Sequence, residues 1–171
     1  MDNLIQMAKM RDADAFTQLM QSHMQTMYKT ARAILYNEED AADAISETIL
    51  ACWEKIDQLK QESYFKTWMT RILVNKCNDL IRKQENVMLT EEMPDIPARE
   101  TGYDNTEWNE ALNMLDEKYR LAIILYYVEG FRTSEIGEIL SITDSAVRSR
   151  LARGREQLAR GYYPEMRRQQ I

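Results

Sequence analysis

The residues with the clearest capacity for chemistry are the arginines of residues 133–158, which read TSEIGEILSITDSAVRSRLARGREQL. Their apolar spacing predicts two helices joined by a short turn, and in a helix-turn-helix unit the second helix enters the DNA major groove. Small and basic side chains cover its outward side, which suits close approach to base edges while arginines hold phosphates. The buried stripe is predicted to be Val147, Leu151, Gly154 and Leu158, and the DNA-facing residues Thr143, Ser145, Arg148, Ser149, Arg150, Arg153 and Arg155.

A second polar stripe is predicted on a helix from about Tyr64 to Lys83, opposite an apolar face that includes Phe65 and Met69. Arginine and asparagine beside an aromatic-rich start suit contact with phosphates and exposed bases. The alternative is a solvated face, with Trp68 and the other aromatic side chains in the core. The stripe follows helical spacing through Thr67, Arg71, Asn75, Asn78 and Arg82.

Carboxylates dominate a third predicted helix, residues 38–57, and among them are Asp40, Asp43 and Glu47. This surface would repel DNA, so it favours docking to a protein. Paired carboxylates also serve acid–base and metal chemistry. Here they occur without a nucleophile motif, a glycine-rich phosphate loop or a metal-ligand cluster, so neither a catalytic residue nor a cofactor is predicted.

The two cysteines and the single histidine are predicted to be packing residues rather than reactive groups. Cys52 and Cys77 are far apart, lie among apolar neighbours and form no CxxC motif, which excludes a recognisable disulfide or zinc framework. His23 follows the helical spacing of an apolar face and has no obvious nucleophile partner.

Composition places these features in an all-α protein. The chain has 171 residues, is 44% hydrophobic, and contains only 5 Gly and 3 Pro, which favours long helices over a turn-rich β-sandwich. No apolar run approaches the ~20 residues needed to span a bilayer, and the start lacks the pattern of a secretory signal. A cytoplasmic protein without membrane insertion is therefore expected.

Charge is distributed unevenly along the chain, whose formal net charge is -6. Segments 60–83 and 141–171 each carry +4, whereas 85–117 carries -9. Pro94, Pro97 and Gly102 interrupt any helical spacing within that acidic stretch. These signals predict two small helical domains, residues 1–86 and 105–171, joined by an acidic linker at 87–104.

The remaining elements are predicted from periodicity and capping. Asn37 is a candidate N-cap for the acidic helix. In the second domain, a helix at 117–129 ends at Gly130, a short helix covers 133–140 with Thr133 as its cap, and a long helix runs from about 144 to 163 with Thr143 or Asp144 as its cap.

Three motifs then occur in one order: DAADAISETILACWEKI, YFKTWMTRILVNKCNDLIRK and, after the acidic connector, EKYRLAIILYYVEGFRTSEIGEILSITDSAVRSRLARGREQL. This order resembles the extracytoplasmic-function (ECF) sigma factors of bacterial RNA polymerase over nearly all of residues 10–162. The resemblance implies a promoter-specificity subunit without a catalytic site of its own. It also implies two helical domains, regions 2 and 4, with a flexible linker between them.

The resemblance assigns a role to each surface. Asp40, Asp43 and Glu47 would bind the clamp helices of the largest subunit of core RNA polymerase. The 144–158 helix would read the promoter −35 element, with Arg148, Ser149, Arg153 and Arg155 at the DNA. Contacts with the −10 element are expected from Tyr64, Lys66, Arg71, Asn75, Asn78 and Arg82.

The resemblance further implies control by an anti-sigma factor, often membrane-anchored, that covers polymerase-binding surfaces. The chain departs from the family pattern at Gly137, where alanine is frequent, and at Ser141, where glycine is usual in the turn. Two alternatives remain at this stage. A free-standing dimeric helix-turn-helix regulator would explain residues 133–158 alone, and a sigma-like decoy would bind polymerase or an inhibitor without reading promoters.

Overall fold

The computed structural model describes residues 2–88 and 106–162, and all regular secondary structure in these ranges is helical, as predicted. The chain divides into two compact units, Met1–Glu100 and Thr101–Ile171. Most of the predicted linker, residues 89–104, lies outside the described residues. No helix in the described ranges is both long and apolar enough to cross a membrane.

Residues 2–88 of the first unit form four α-helices, and two of these helices have N-termini capped by side chains. Asn37 caps its helix as predicted, accepting a hydrogen bond from the Asp40 backbone N–H at 2.7 Å. Asp12 accepts from the N–H groups of Asp14 and Ala15, at 3.0 Å each. The helices are α1 (Asp2–Lys9), α2 (Ala13–Ile34), α3 (Glu38–Lys55) and α4 (Phe65–Met88), with 3₁₀ turns at Ile56–Gln58 and Glu62–Tyr64.

The α4 helix extends two residues past the predicted domain end at 86. No proline or glycine occurs before Pro94, so nothing local stops the helix at that point. The sequence did not separate α1 from α2. Arg11 divides them in a left-handed conformation with φ 67°, and the Asp12 N–H donates back to the Met7 carbonyl at 3.1 Å.

Arg11 also fastens the α1–α2 corner to the end of α3. Its guanidinium donates to the Trp53 carbonyl, lies 5.4 Å from the centroid of the Trp53 ring and contacts the Asp57 carboxylate at 3.4 Å. One side chain thus satisfies a carbonyl near the α3 C-terminus, where backbone acceptors have no helical partner.

The core of the first unit lies between α2, α3 and α4, and it contains the predicted packing residues. His23 is buried, and its ring stands edge-on to Phe65 with the centroids 5.3 Å apart. Cys52 and Cys77 are buried thiols, and neither forms a disulfide. Burial raises the pKa of Cys52 to about 12, so its thiol stays protonated near neutral pH and behaves as a small apolar group.

The second unit contains α5 (Thr106–Asn113), α6 (Glu117–Ile123), α7 (Thr133–Leu140) and α8 (Asp144–Tyr162). The predicted helix 117–129 is not a single regular α-helix. It changes at Ile124–Val128 into a π-helical turn, in which the Glu129 N–H donates to the Ile124 carbonyl at 3.0 Å. Gly130 follows with φ 74°, the left-handed conformation expected of a glycine that ends a helix.

The pair α7 and α8 forms the predicted helix-turn-helix. Thr143 is the cap of α8, because its Oγ1 accepts from the Ala146 N–H at 3.1 Å. The prediction that Thr133 caps α7 is wrong. Arg132 occupies that position, and its backbone N–H donates to the Glu135 carboxylate at 2.8 Å, so a glutamate in the first turn satisfies the helix start.

The turn between α7 and α8 depends on two residues that depart from the family pattern. Ser141 adopts φ 56° and ψ 43°. This left-handed conformation is energetically unfavourable for a residue that has a Cβ atom. Gly137 leaves space for the returning chain, because a Cβ there would lie 2.8 Å from the Ile142 carbonyl oxygen. The Ile142 N–H donates to the Gly137 carbonyl at 2.9 Å and closes the turn.

We predict opposite effects of two substitutions in this turn. Ser141→Gly should raise the free energy of unfolding by about 1 kcal/mol, since glycine adopts the left-handed conformation without steric cost. Gly137→Ala should lower it by about 1–3 kcal/mol, since the added methyl group forces the turn to shift. Urea unfolding of the full chain, followed by circular dichroism, measures both.

Ser149→Gly is the matched control, because Ser149 is exposed in the middle of α8 and glycine in the middle of a helix costs about 0.5–1 kcal/mol. The same chemical change should therefore destabilise the protein at position 149 and stabilise it at position 141. Destabilisation at both positions would contradict the account of the turn.

Candidate nucleic-acid interface

The α8 helix has a buried side and an exposed side, as the sequence predicted. Val147, Leu151 and Gly154 are buried, and Leu158 is half-buried. At Gly154 an added Cβ would lie 2.9 Å from Ile123 Cγ1, so α8 approaches α6 too closely for a side chain. The exposed side carries most of the predicted DNA-facing residues: Thr143, Ser145, Arg148, Ser149, Arg153 and Arg155, with Arg150 half-buried.

The arginines of α8 differ in their local partners. Arg148 contacts the Asp144 carboxylate one turn earlier, with Nη2 2.5 Å from Oδ2. Arg155 donates from Nη1 to the Tyr127 hydroxyl at 3.1 Å. The Arg153 guanidinium has neither a hydrogen bond nor an ion pair within the described residues. Among the described residues, therefore, no neighbouring group engages the charge of the exposed Arg153.

Tyr127 is a residue that sequence reasoning missed. It lies in the π-helical turn Ile124–Val128, outside the helix-turn-helix, and is about half exposed. Its contact with Arg155 joins two elements 28 residues apart, and helical periodicity gives no information about such pairs. An exposed tyrosine beside a basic helix was the only available signal.

On α4, the exposed polar stripe is shorter than predicted. Arg71, Asn75 and Arg82 are exposed and Asn78 is half-buried, which agrees with the stripe. Thr67 does not belong to it, because only 3% of its surface is exposed. The first turns of α4 bury Phe65, Thr67, Met69 and Thr70, so α2 and α3 enclose the helix start on more than one side.

The side chains at the start of α4 are more enclosed than the rest of the predicted −10 surface. Lys66 and Tyr64 are half-buried. The Tyr64 hydroxyl is itself buried and has no hydrogen-bond partner in the described part of the chain. Trp68 is half-buried and packs 5.9 Å from Phe65, between ring centroids.

The three predicted polymerase-binding carboxylates of α3, Asp40, Asp43 and Glu47, form what we call the acidic edge. Asp40 accepts hydrogen bonds from Asn37 and Gln84, each at 2.8 Å. Glu47 pairs with Lys76 at 3.2 Å. Asp43, between them on the same stripe, is exposed, and its carboxylate has no partner among the described residues. Sequence reasoning missed both α4 partners, Lys76 and Gln84.

Within residues 2–88 and 106–162, no group of three or more histidine, cysteine or carboxylate side chains is arranged to hold a metal ion. The geometry of the described residues is instead that of exposed faces. One is acidic, one mixes arginine and asparagine, and one is rich in arginine.

Two family models match the chain, one in each unit. The model of Sigma-70 region 2 matches residues 19–87, and that of Sigma-70 region 4 matches residues 106–158. The first match contains the acidic edge and the α4 stripe. The second contains the π-helical turn and the helix-turn-helix through Leu158.

Named relatives cover most of the chain. The RNA polymerase sigma factor NccH of Alcaligenes xylosoxydans xylosoxydans is 31% identical over 169 residues, which are 91% of this chain and 90% of that protein. The sigma factor SigV of Bacillus subtilis is 30% identical over 134 residues, 77% of this chain and 81% of SigV. The ECF sigma factor SigW of the same organism is 28% identical and is covered over 92% of its length.

Solved structures of sigma factors share the fold. CnrH in complex with the cytosolic domain of CnrY matches with a TM-score of 0.71 and 25% identity, covering 96% of this chain and 97% of that one. RpoE in complex with the anti-sigma factor NepR from Bartonella quintana matches with a TM-score of 0.70 and 26% identity, covering 84% and 94%. The resemblance noted in the sequence is thus confirmed: the chain belongs to the extracytoplasmic-function sigma factors of bacterial RNA polymerase.

Proposed function

We propose that this sigma factor binds core RNA polymerase through the acidic edge and directs initiation at promoters that α4 and α8 recognise. The observation that carries the proposal is the exposed face of α8, where arginines surround small side chains above a buried stripe. The chain acts as a specificity subunit and contributes no catalytic group, so bond formation stays with the core enzyme.

Docking to polymerase is proposed to begin at Asp43. The ion pair and hydrogen bonds that engage Glu47 and Asp40 involve exposed or half-buried groups, and such contacts contribute only about 0–1 kcal/mol each. A basic partner surface can therefore replace them at small cost. Opposite charges across the interface would also speed the encounter and fix its register.

Promoter opening is proposed to depend on the α4 stripe. Arg71 and Arg82 lie on either side of Asn75 and can hold the phosphate backbone, although Arg82 also contacts Asp79 at 3.5 Å. An asparagine amide both donates and accepts hydrogen bonds, so Asn75 can pair with the edge of a base once that base has left the stack.

Recognition of the −35 element is proposed for α8. Arg153 can reach a guanine through two parallel hydrogen bonds, the commonest specific contact in the major groove. Ser145 and Ser149 are short enough to let the helix enter the groove. The arginines on the flanks would hold phosphates, which sets position and affinity rather than sequence preference.

Control by an anti-sigma factor is part of the proposal. The matched structures of CnrH and RpoE are complexes, with the cytosolic domain of CnrY and with the anti-sigma factor NepR. We propose that a cognate anti-sigma factor also binds this chain, in the cytoplasm, and that it covers the polymerase-binding surface. Transcription in vitro with purified core enzyme tests the central proposal. A chain that binds promoters tightly without core enzyme would favour a free-standing regulator instead.

We predict that Asp43→Arg weakens binding to core polymerase by at least roughly tenfold, because it sets like charges against each other across the interface. Fluorescence anisotropy of labelled sigma factor titrated with core enzyme gives the affinity. Asp14→Arg makes the same change of charge at an exposed site on α2 and is expected to leave the affinity unchanged. Equal affinities for the two variants would contradict the role of the acidic edge.

We predict that Asn75→Ala reduces promoter opening more than initial promoter binding, because its base contact exists only after the strands separate. Permanganate footprinting measures opening, and filter binding of the holoenzyme on ice measures the closed complex. Asn86→Ala is the matched control, since Asn86 is exposed three turns further along α4. An open-complex yield equal to that of the parent would refute the prediction.

We predict that Arg153→Ala changes the preference among −35 sequences by about 1–3 kcal/mol per base pair read. Arg155→Ala should instead weaken all promoters about equally and lower the salt dependence of binding. Both effects are measured as affinities of the holoenzyme for a panel of −35 variants. The parent promoter of this panel is first selected from a randomised library with the same holoenzyme. The division of roles is wrong if Arg155→Ala alters the preference as much as Arg153→Ala.

A further inference from the structure

The contact between Tyr127 and Arg155 holds a DNA-facing arginine from outside its own helix. Arg155 Nη1 donates to the Tyr127 phenolic oxygen at 3.1 Å. The neighbouring Tyr126 ring stands edge-on to Tyr127, with centroids 4.9 Å apart and planes at 82°. The Tyr126 ring therefore packs against the ring whose hydroxyl contacts Arg155.

The chemistry of the partner distinguishes Arg155 from other arginines of α8. Arg148 and Arg160 contact carboxylates one turn earlier on the same helix, at Asp144 and Glu156. In both cases the carboxylate already compensates part of the positive charge that a phosphate would meet. Among the described residues Arg155 contacts a neutral phenol and no carboxylate, so this contact leaves its positive charge uncompensated and its other N–H groups available.

Restricting a long side chain before binding reduces the entropy lost when it is immobilised at an interface. Arg155 lies two turns after Arg148 on the same flank of α8, next to the face that carries Arg153. A guanidinium held there by the phenol presents its remaining donors to the backbone beside the major groove. It retains the geometry that favours paired hydrogen bonds to phosphate oxygens.

We propose that Tyr127 is a positioning residue for DNA binding, which orients Arg155 toward a backbone phosphate next to the −35 element. The ligand of the pair is a phosphodiester, and Tyr127 acts through Arg155 rather than by touching DNA. This inference rests on the proposed function of α8 and extends the −35 surface to a residue outside the helix-turn-helix.

The test is a double-mutant cycle with holoenzyme and a fluorescent promoter duplex of the library-derived parent sequence. Tyr127→Phe removes only the hydroxyl, and it should weaken binding roughly threefold, the size expected for one hydrogen bond. In the Arg155→Ala background the same change should have no effect. Arg155→Ala should also lower the slope of log affinity against log salt by about one.

Tyr126→Phe is the matched control, because the Tyr126 hydroxyl has no contact with Arg155 among the described residues, and it should bind as the parent does. Equal losses from Tyr127→Phe in both backgrounds would overturn the inference, since the hydroxyl would then act independently of Arg155. No loss in the parent background would overturn it as well. Thermal unfolding of each variant identifies any loss caused by reduced stability.

The same experiment separates this inference from the function on which it rests. If the parent holoenzyme fails to bind the duplex above the level of core enzyme alone, the proposed function of the chain fails and the inference with it. If the parent binds and Arg153→Ala weakens that binding, the function stands. The double-mutant cycle of Tyr127→Phe and Arg155→Ala then tests the inference by itself.

Discussion

The close approach of α8 to α6 at Gly154 is the contact on which the candidate −35 interface depends. Ile123 Cγ1 would lie 2.9 Å from a Cβ at this position, so any larger residue would push the helices apart. Val147 and Leu151 continue the same buried stripe. Once the buried stripe of α8 is packed against the rest of the second unit, the rotation of α8 about its axis is fixed, and Arg153 must face outward. Packing on one side of the helix thus determines recognition on the other.

A comparable dependence joins the two candidate surfaces of the first unit, because α3 and α4 share a polar boundary. Glu47 on the acidic edge pairs with Lys76, and Asp40 accepts from Gln84, so the helix proposed to dock polymerase and the helix proposed to contact the −10 element hold each other's side chains. Lys76 directly follows Asn75 in the chain. A polymerase surface that binds the Glu47 carboxylate would leave the positive charge of Lys76 without its partner beside the α4 stripe. The positive charge would then increase where a DNA strand is proposed to lie.

The sequence predicted elements better than it predicted contacts between them. Helical spacing and caps such as Asn37 are local properties, and the buried state of His23 followed from spacing alone. Thr67 was misassigned because a helical stripe does not report that neighbouring helices enclose its first turn. The π-helical turn has no simple sequence signature. The pair Tyr127–Arg155 joins two elements distant in the chain, so only the folded structure brings it together.

Local compensation of charge would limit how strongly the basic faces of this acidic chain bind DNA on their own. Arg148 and Arg160 are each matched by a carboxylate on α8, and Arg82 contacts Asp79 on α4. Compensated arginines release fewer counterions from a duplex, so these three pairs lower the nonspecific affinity that such release provides. Two weak contacts on one chain gain strength when a scaffold holds both at the spacing of their targets. Core polymerase would supply that scaffold, so promoter recognition becomes a property of the assembly.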